Sequence, residues 1–133
     1  MQTVKVNIVT PDGPVLETEA TMIIAITEAG EIGILPGHIA MVAPLQIGAL
    51  RVNKDDSTEV VAVHGGFIEV RPDVVTVLAQ SAETAAKIDI ERAKKAAQIA
   101  EAAIEAKPDK ADLHMAELDL KRAQNRINVY QKK

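Results

Sequence analysis

Cysteine is absent from the 133-residue chain, so disulfides and thiolate chemistry are excluded while the redox compartment stays open. Tryptophan is absent too, and with one Phe and one Tyr the aromatic share is 2%, so the core has to be built from Val, Ile, Leu, Met and Ala. Basic excess is lacking: 15 Lys and Arg stand against 19 Asp and Glu, a formal charge of −4. That argues against a nucleic-acid binder, which must neutralise phosphates. No apolar run is long enough to cross a bilayer and no signal-peptide pattern opens the chain, so direct membrane insertion is not expected. A cytoplasmic chain able to dock on a membrane complex is. The phosphate-cradling pattern G-x-x-x-x-G-K-[ST] is missing, as is any Ser-His-Asp or paired-carboxylate pattern. His38, His64 and His114 have no acidic or cysteine companion at ligand spacing, so they read as surface or turn histidines, with no metal held by protein ligands alone.

What is present divides into two halves. Thr3 to Thr10 alternates apolar and polar as a half-buried strand does, and Pro11-Asp12-Gly13-Pro14 stops it. Val15 to Thr27 is strand-like again, with Met22, Ile24 and Ile26 on one face and Ile23 and Ala25 on the other; two sheets packed face to face would cover both. Gly30 to His38 reads as a strand flanked by tight turns. Ala49 to Asn53 and Glu59 to Val63 are two more strands, joined by the polar turn Lys54 to Ser57. Gly65-Gly66 signals a bulge or a close backbone approach. Phe67 to Val70 and Val74 to Ala79 form a hairpin across Arg71-Pro72-Asp73. The pattern predicts an antiparallel β-sandwich over 1–84.

After it comes an alanine-rich tract that predicts an antiparallel two-helix hairpin over 85–133, making the whole chain α+β. The first helix, Ile90 to Ala106, carries the stripe Ala93, Ala96, Ala97, Ala100 and Ile104; Lys107-Pro108-Asp109 breaks it. The second has Leu113, Ala116, Leu120, Ala123, Ile127 and Tyr130 at alternating three- and four-residue steps, a seam suited to packing antiparallel on the first. Burying methyl groups contributes only about 0.8 kcal/mol per CH₂-sized group, so such a hairpin is marginal without the sandwich, a partner or a ligand.

At the junction, Ile88-Asp89-Ile90-Glu91-Arg92-Ala93 admits two readings. Asp89 suits an N-cap, Glu91 the positive end of the helix dipole, and Ile88 a staple onto Ala93, which makes a capped helix after a linker. Alternatively the stretch is half of a ligand site. Arg122 and Arg126 are i,i+4 on the second helix, a like-charge pair that reads either as a solvated basic face or as a place for an anion. If the hairpin closes, both approach Asp89 and Arg92, and three guanidiniums near a helix amino terminus make a phosphate site without a phosphate loop.

Several stretches resemble the ε subunit of the bacterial F-type ATP synthase, with the likeness running over essentially the whole chain: Val9 to Pro14, Gly30 to His38, Gly65 to Val70, and Leu120 to Arg126. The glycine-rich nonapeptide is the most specific of these, and the likeness is to the ε subunits of bacilli in particular. The resemblance implies a β-sandwich at the foot of the central stalk, bound to the γ subunit and the c-ring. Glu31 would lie toward the c-ring and His38 toward the stalk. The helical domain would fold down on the sandwich or extend along γ into the catalytic α/β head, where Arg122 and Arg126 would face an acidic loop and impede ATP hydrolysis.

Ile88 to Ala93 also fits the ATP-binding signature Ile/Leu-Asp-x-x-Arg-Ala of Bacillus-type members. Carried over residue by residue, the implied ATP site is Glu83, Ile88, Asp89, Arg92, Ala93, Arg122 and Arg126, with ATP, alone or with Mg²⁺, as regulatory ligand and not substrate. Ile99 stands where some strongly binding relatives have an arginine, and losing that cation would weaken binding by about 1 kcal/mol or more. The expectation is a non-catalytic rotor subunit, a monomer when isolated, peripheral on the cytoplasmic side of the cell membrane. The alternative is a purely structural coupling subunit whose helices stay folded and sense no nucleotide.

Overall fold

A computed structural model of the chain describes residues 2–132. Met1 and Lys133, the outermost positions of the two expected domains, lie outside the described residues. Strands β1 (Val4–Thr10), β2 (Gly13–Ala20), β3 (Met22–Thr27), β4 (Gly30–Ile34), β5 (Met41–Asn53), β6 (Thr58–Val70), β7 (Val74–Ala79) and β8 (Ala82–Thr84) come first. A 3₁₀ turn (Ala85–Lys87) leads from them into α1 (Ile90–Glu105) and α2 (Lys110–Gln131).

The strands hydrogen-bond in the order β2-β1-β7-β6-β5-β3-β4, with β8 on β6. Period-2 alternation supplies the core: Val4, Val6 and Ile8 of β1, Ile23 and Ala25 of β3, and Val75, Val77 and Ala79 of β7 all point inward. The fully antiparallel expectation needs one correction. β1 runs parallel to β7, from Lys5 opposite Val74 to Val9 opposite Leu78. The two strands are separated by all of β2 to β6, long enough for the crossover that parallel pairing requires, and local alternation carries no information about such a pairing.

Three strand boundaries also differ from the sequence reading. The stretch Val15 to Thr27 is two strands, because the Thr21 N–H and hydroxyl both bond the Asn53 carbonyl (2.8 and 3.1 Å) and turn the chain there. β5 begins eight residues earlier than expected and runs through Pro44; farther along, its pairing with β3 is interrupted between Leu45 and Arg51. β6 runs on through Gly65 and Gly66. Its first half pairs with β8 and its second half with β7, and the two glycines, at φ +82° and +114°, occupy the changeover.

One face of β6 positions everything that follows. Val61 and Val63 point into the sandwich core, while Val60, Ala62 and His64 point the other way and are nevertheless buried. Val60 and Ala62 pack with Ala85, Ile88 and Val129, Val129 being contributed by α2. The hairpin therefore lies on the outside of the sandwich. The helices pack on each other through Ala93, Ala97, Ala100, Ala116 and Ala123, and Asn125 Nδ2 donates to the Gly48 carbonyl at 2.8 Å.

Candidate functional site

Where the hairpin meets the sandwich, a cleft of about 520 Å³ opens between three pieces of chain. The β1–β2 turn forms one wall through Thr10 and Asp12 to Val15. Its shape follows from Gly13 at φ +126°, from the Thr10 hydroxyl donating to the Gly13 carbonyl (3.2 Å), and from the Asp12 N–H donating back to that hydroxyl (3.2 Å). The lead into β8 supplies Ser81, Ala82 and Glu83. The hairpin supplies Asp89, Arg92, Ala93 and Ala96 from α1 and Arg126 from α2.

Of the expected ATP-site residues, Glu83, Asp89, Arg92, Ala93 and Arg126 thus line one cleft. Asp89 is the N-cap of α1, its Oδ1 accepting from the Arg92 N–H at 3.1 Å. Arg126 Nε donates to Glu83 Oε1, joining α2 to β8. The Arg92 guanidinium, alone among the three arginines of the expected site, forms no ion pair among the described residues. Two expected residues stand off the cleft wall. Ile88 is buried with Val60, Ala62, Ala85 and Val129, and Arg122 is held by Asp119 one turn earlier at 2.7 Å.

Glu31 and His38 are elsewhere. Glu31, on β4, lies 3.5 Å from Arg51, and the half-buried His38 ring contacts the Ile39 carbonyl through Nδ1 at 2.8 Å. Leu35 and Ile39 beside it in sequence are each more than half exposed, as are Val42, Phe67 and Leu78 on the sheet.

One histidine corrects the sequence reading. His114 is exposed and His38 half-buried, but His64 is 3% exposed, because its face of β6 is the one covered by α2. Burial first, then the guanidiniums of Arg126 and Arg122, push its pKa down from 6.5 to about 4, so the ring is neutral at pH 7. Its Nδ1 lies 3.0 Å from Ser81 Oγ, its backbone N–H bonds the Ser81 carbonyl, and Nε2 is buried without a hydrogen-bond partner among the described residues. The uninterrupted apolar run Val60 to Val63 was the available signal: a strand apolar on both faces is covered on both faces. The β1–β2 turn, by contrast, had no site-like pattern of its own. Among the described residues no group of three or more His, Asp or Glu side chains is arranged to hold a metal, and no helix is long and apolar enough to cross a membrane.

Residues 3–85 match the family model described as the ATP synthase delta/epsilon chain β-sandwich domain, and residues 86–131 match the delta/epsilon chain long α-helix domain. The ATP synthase epsilon chain of Bacillus pumilus is 57% identical over 129 residues, covering 97% of this chain and 98% of that one. The Bacillus subtilis epsilon chain is 58% identical over the same shares. Among solved structures, a chain of the Euglena gracilis mitochondrial ATP synthase OSCP/F1/c-ring assembly superposes with a TM-score of 0.80 at 27% identity, over 92% of this chain and 78% of that one. A chain of the Tetrahymena thermophila mitochondrial ATP synthase shares the fold, with a TM-score of 0.61 at 16% identity, over 98% of this chain and 96% of that one.

Proposed function

The chain belongs to the ATP synthase delta/epsilon family, as an epsilon-type, non-catalytic subunit of the rotary central stalk, and from that premise we propose that its helical hairpin is a nucleotide-controlled regulator of the complex. The observation that carries the reading is the cleft, in which Glu83 of the sandwich, Asp89 and Arg92 of α1 and Arg126 of α2 converge. A ligand bridging those three elements holds the hairpin down only while the hairpin is docked. It therefore stabilises the docked form by RT ln(1 + [L]/Kd), on the order of 3 kcal/mol at a hundredfold excess. The docked interface it adds to rests on Val60, Ala62, Ala85, Ile88 and Val129, with the Arg126–Glu83 pair and the Asn125–Gly48 hydrogen bond.

ATP fits the site's chemistry: guanidiniums for phosphate oxygens, the amino-terminal end of α1, and small Ala93 and Ala96 walls that leave room. Docked, the hairpin keeps Arg122 and Arg126 against the sandwich. Released, it offers them to the catalytic head and slows hydrolysis. The apolar surface around Leu35, Ile39, Val42, Phe67 and Leu78 is the face we assign to the γ subunit and the c-ring, which holds the chain peripherally at the cell membrane. Calorimetric titration of the chain with ATP is expected to give heat, weakened by Asp89→Ala and Arg126→Ala. No heat at millimolar ATP sinks the nucleotide site. In the assembled complex, a chain ending at Lys87 is expected to release hydrolysis; unchanged hydrolysis removes the inhibitory role.

The Arg126–Glu83 pair favours a second reading. It closes the hairpin with no ligand, and Asp119 already neutralises Arg122, so a purely structural subunit with permanently docked helices is the competing outcome of the same titration.

A further inference from the structure

His64 and Ser81 are joined twice, through the backbone and through their side chains, and only one of them reaches the cleft. Ser81 lines it, while His64 lies behind, buried under α2. The side-chain bond between them has two chemically distinct forms. With the proton on Nε2, the ring accepts the Ser81 O–H at Nδ1 and the hydroxyl proton is used up. With the proton on Nδ1, the ring donates to Ser81 Oγ, and the hydroxyl keeps its own proton to give elsewhere.

The surroundings of the other ring nitrogen decide between them. Nε2 is buried with no hydrogen-bond partner among the described residues. An orphaned buried N–H is rarer and costlier than an under-used acceptor lone pair. The proton therefore belongs on Nδ1, where Ser81 Oγ can accept it.

We propose that Ser81 is a ligand-binding residue of the cleft, made a dedicated hydrogen-bond donor toward an acceptor oxygen of the bound nucleotide by the tautomer that the buried His64 is forced to adopt. His64 is the positioning residue; it does not touch the ligand. Burial keeps the ring neutral, so the donor direction of Ser81 is constant at neutral pH. Position follows from register: Ser81 opposes His64 and Glu83 opposes Ala62, so Ser81 and Glu83 project on the same face of the sheet edge, beside Arg126. The inference rests on the nucleotide reading of the cleft.

Two measurements on the full chain test it. Long-range ¹H–¹⁵N correlation spectra of the ligand-free protein report the His64 tautomer directly. A proton on Nδ1 is expected, and one on Nε2 overturns the proposal whether or not nucleotide binds. In ATP titrations, Ser81→Ala is expected to bind roughly ten- to a hundredfold more weakly than the parent, the loss of one hydrogen bond to a charged group. Ser81→Thr, which keeps the hydroxyl, is expected to bind within about twofold of the parent. Equal affinity of parent and Ser81→Ala overturns the donor role and leaves the cleft's nucleotide reading standing; a parent that binds no ATP removes both. Unchanged thermal unfolding of ligand-free Ser81→Ala separates a lost contact from a lost fold.

Discussion

Arg126 of α2 and Glu83 of β8, 43 residues apart in sequence, meet in an ion pair 2.5 Å long, where both helices and the sandwich line the same cleft. The pair does two opposed things. It holds the hairpin on the sandwich, and it occupies a cation that an incoming anion would want. On the nucleotide reading proposed above, the ligand competes with Glu83 for Arg126, and docking and binding are then coupled through one guanidinium.

The first prediction tests the clasp. The two side chains are 29% and 33% exposed, so solvent screens them in part and the pair is worth about 1 kcal/mol, less than a buried pair. Glu83→Gln is expected to raise amide hydrogen exchange along α2 by roughly the corresponding five- to tenfold, while amides of β1 and β7 in the core keep their protection. Equal acceleration in core and hairpin would mean that the substitution acts on global stability, not on docking.

The second concerns pH. The docked form holds His64 near pKa 4, below its ordinary 6.5, so docking is fully favoured above pH 6.5 and loses strength as pH falls toward 4. The charges facing the ring are Arg122 and Arg126 on α2, with Glu83 beside them on β8. Asp119 pairs with Arg122 as Glu83 does with Arg126, so protonation there adds a third cation against two carboxylates. The ceiling on the effect is about 3 kcal/mol, from 1.36 kcal/mol per pKa unit. Hairpin opening, followed by an inter-domain distance reporter between pH 7.5 and 4.5, is expected to rise on acidification in the parent and to be nearly flat in His64→Gln. A parent curve as flat as the variant's refutes the linkage.

Much of this was legible in the residues. Alternation in Val4 to Ile8 and Val74 to Ala79, the turn at Arg71 to Asp73, and the alanine stripe of α1 gave the strands and helices their places because each depends on neighbours a few residues away. Asp89 as an N-cap is a relationship of the same kind. The parallel β1–β7 pair, the continuation of β5 through Pro44 and the burial of His64 were not legible, because each is set by a partner distant in sequence. Val129 shows the same limit. The periodic seam runs through Leu120, Ile127 and Tyr130, yet the fully buried α2 side chain against the sandwich is Val129, which faces β6 and not α1. For the cleft, Glu83, Asp89, Arg92, Ala93 and Arg126 could be named in advance, whereas Ala82 and Ala96 were not and Ile88 and Arg122 stand off its wall. Thr10, Asp12 and Ser81 could not be named, since a β-turn becomes a wall only when a helix is docked opposite it.

The third prediction separates two glycines. A Cβ on Gly66, at φ +114°, would fall 2.1 Å from the Leu78 carbonyl oxygen, whereas a Cβ on Gly37, at φ +85°, meets nothing within 4 Å. Gly37→Ala suffers only backbone strain, about 1 kcal/mol. Gly66→Ala adds a clash with main chain that cannot rotate away, so about 3 kcal/mol or more is expected, with β6 and β7 forced apart at the Gly66–Ala79 pair. Thermal unfolding of the two variants checks the ordering. Similar midpoints would show that the β6 bulge yields more readily than its geometry indicates.

The last prediction takes apart the two roles at the root of α1. Asp89 caps the helix through Oδ1 and also lines the cleft. Asn caps as well as Asp but carries no charge, and Ala does neither. Asp89→Ala is expected to cost about 1 kcal/mol of helix stability, seen as faster exchange of the Arg92 and Ala93 amides, while Asp89→Asn leaves those amides protected. Nucleotide affinity sorts the variants differently. If the carboxylate acts on the ligand, or on the Arg92 guanidinium that meets it, both substitutions change the ATP dissociation constant, and Asn does so with the cap intact. If Asp89 serves the cleft only by holding α1 in place, Asn binds as the parent does and only Ala weakens. Exchange and affinity measured on the same three proteins therefore assign the residue to the ligand, to the helix, or to both.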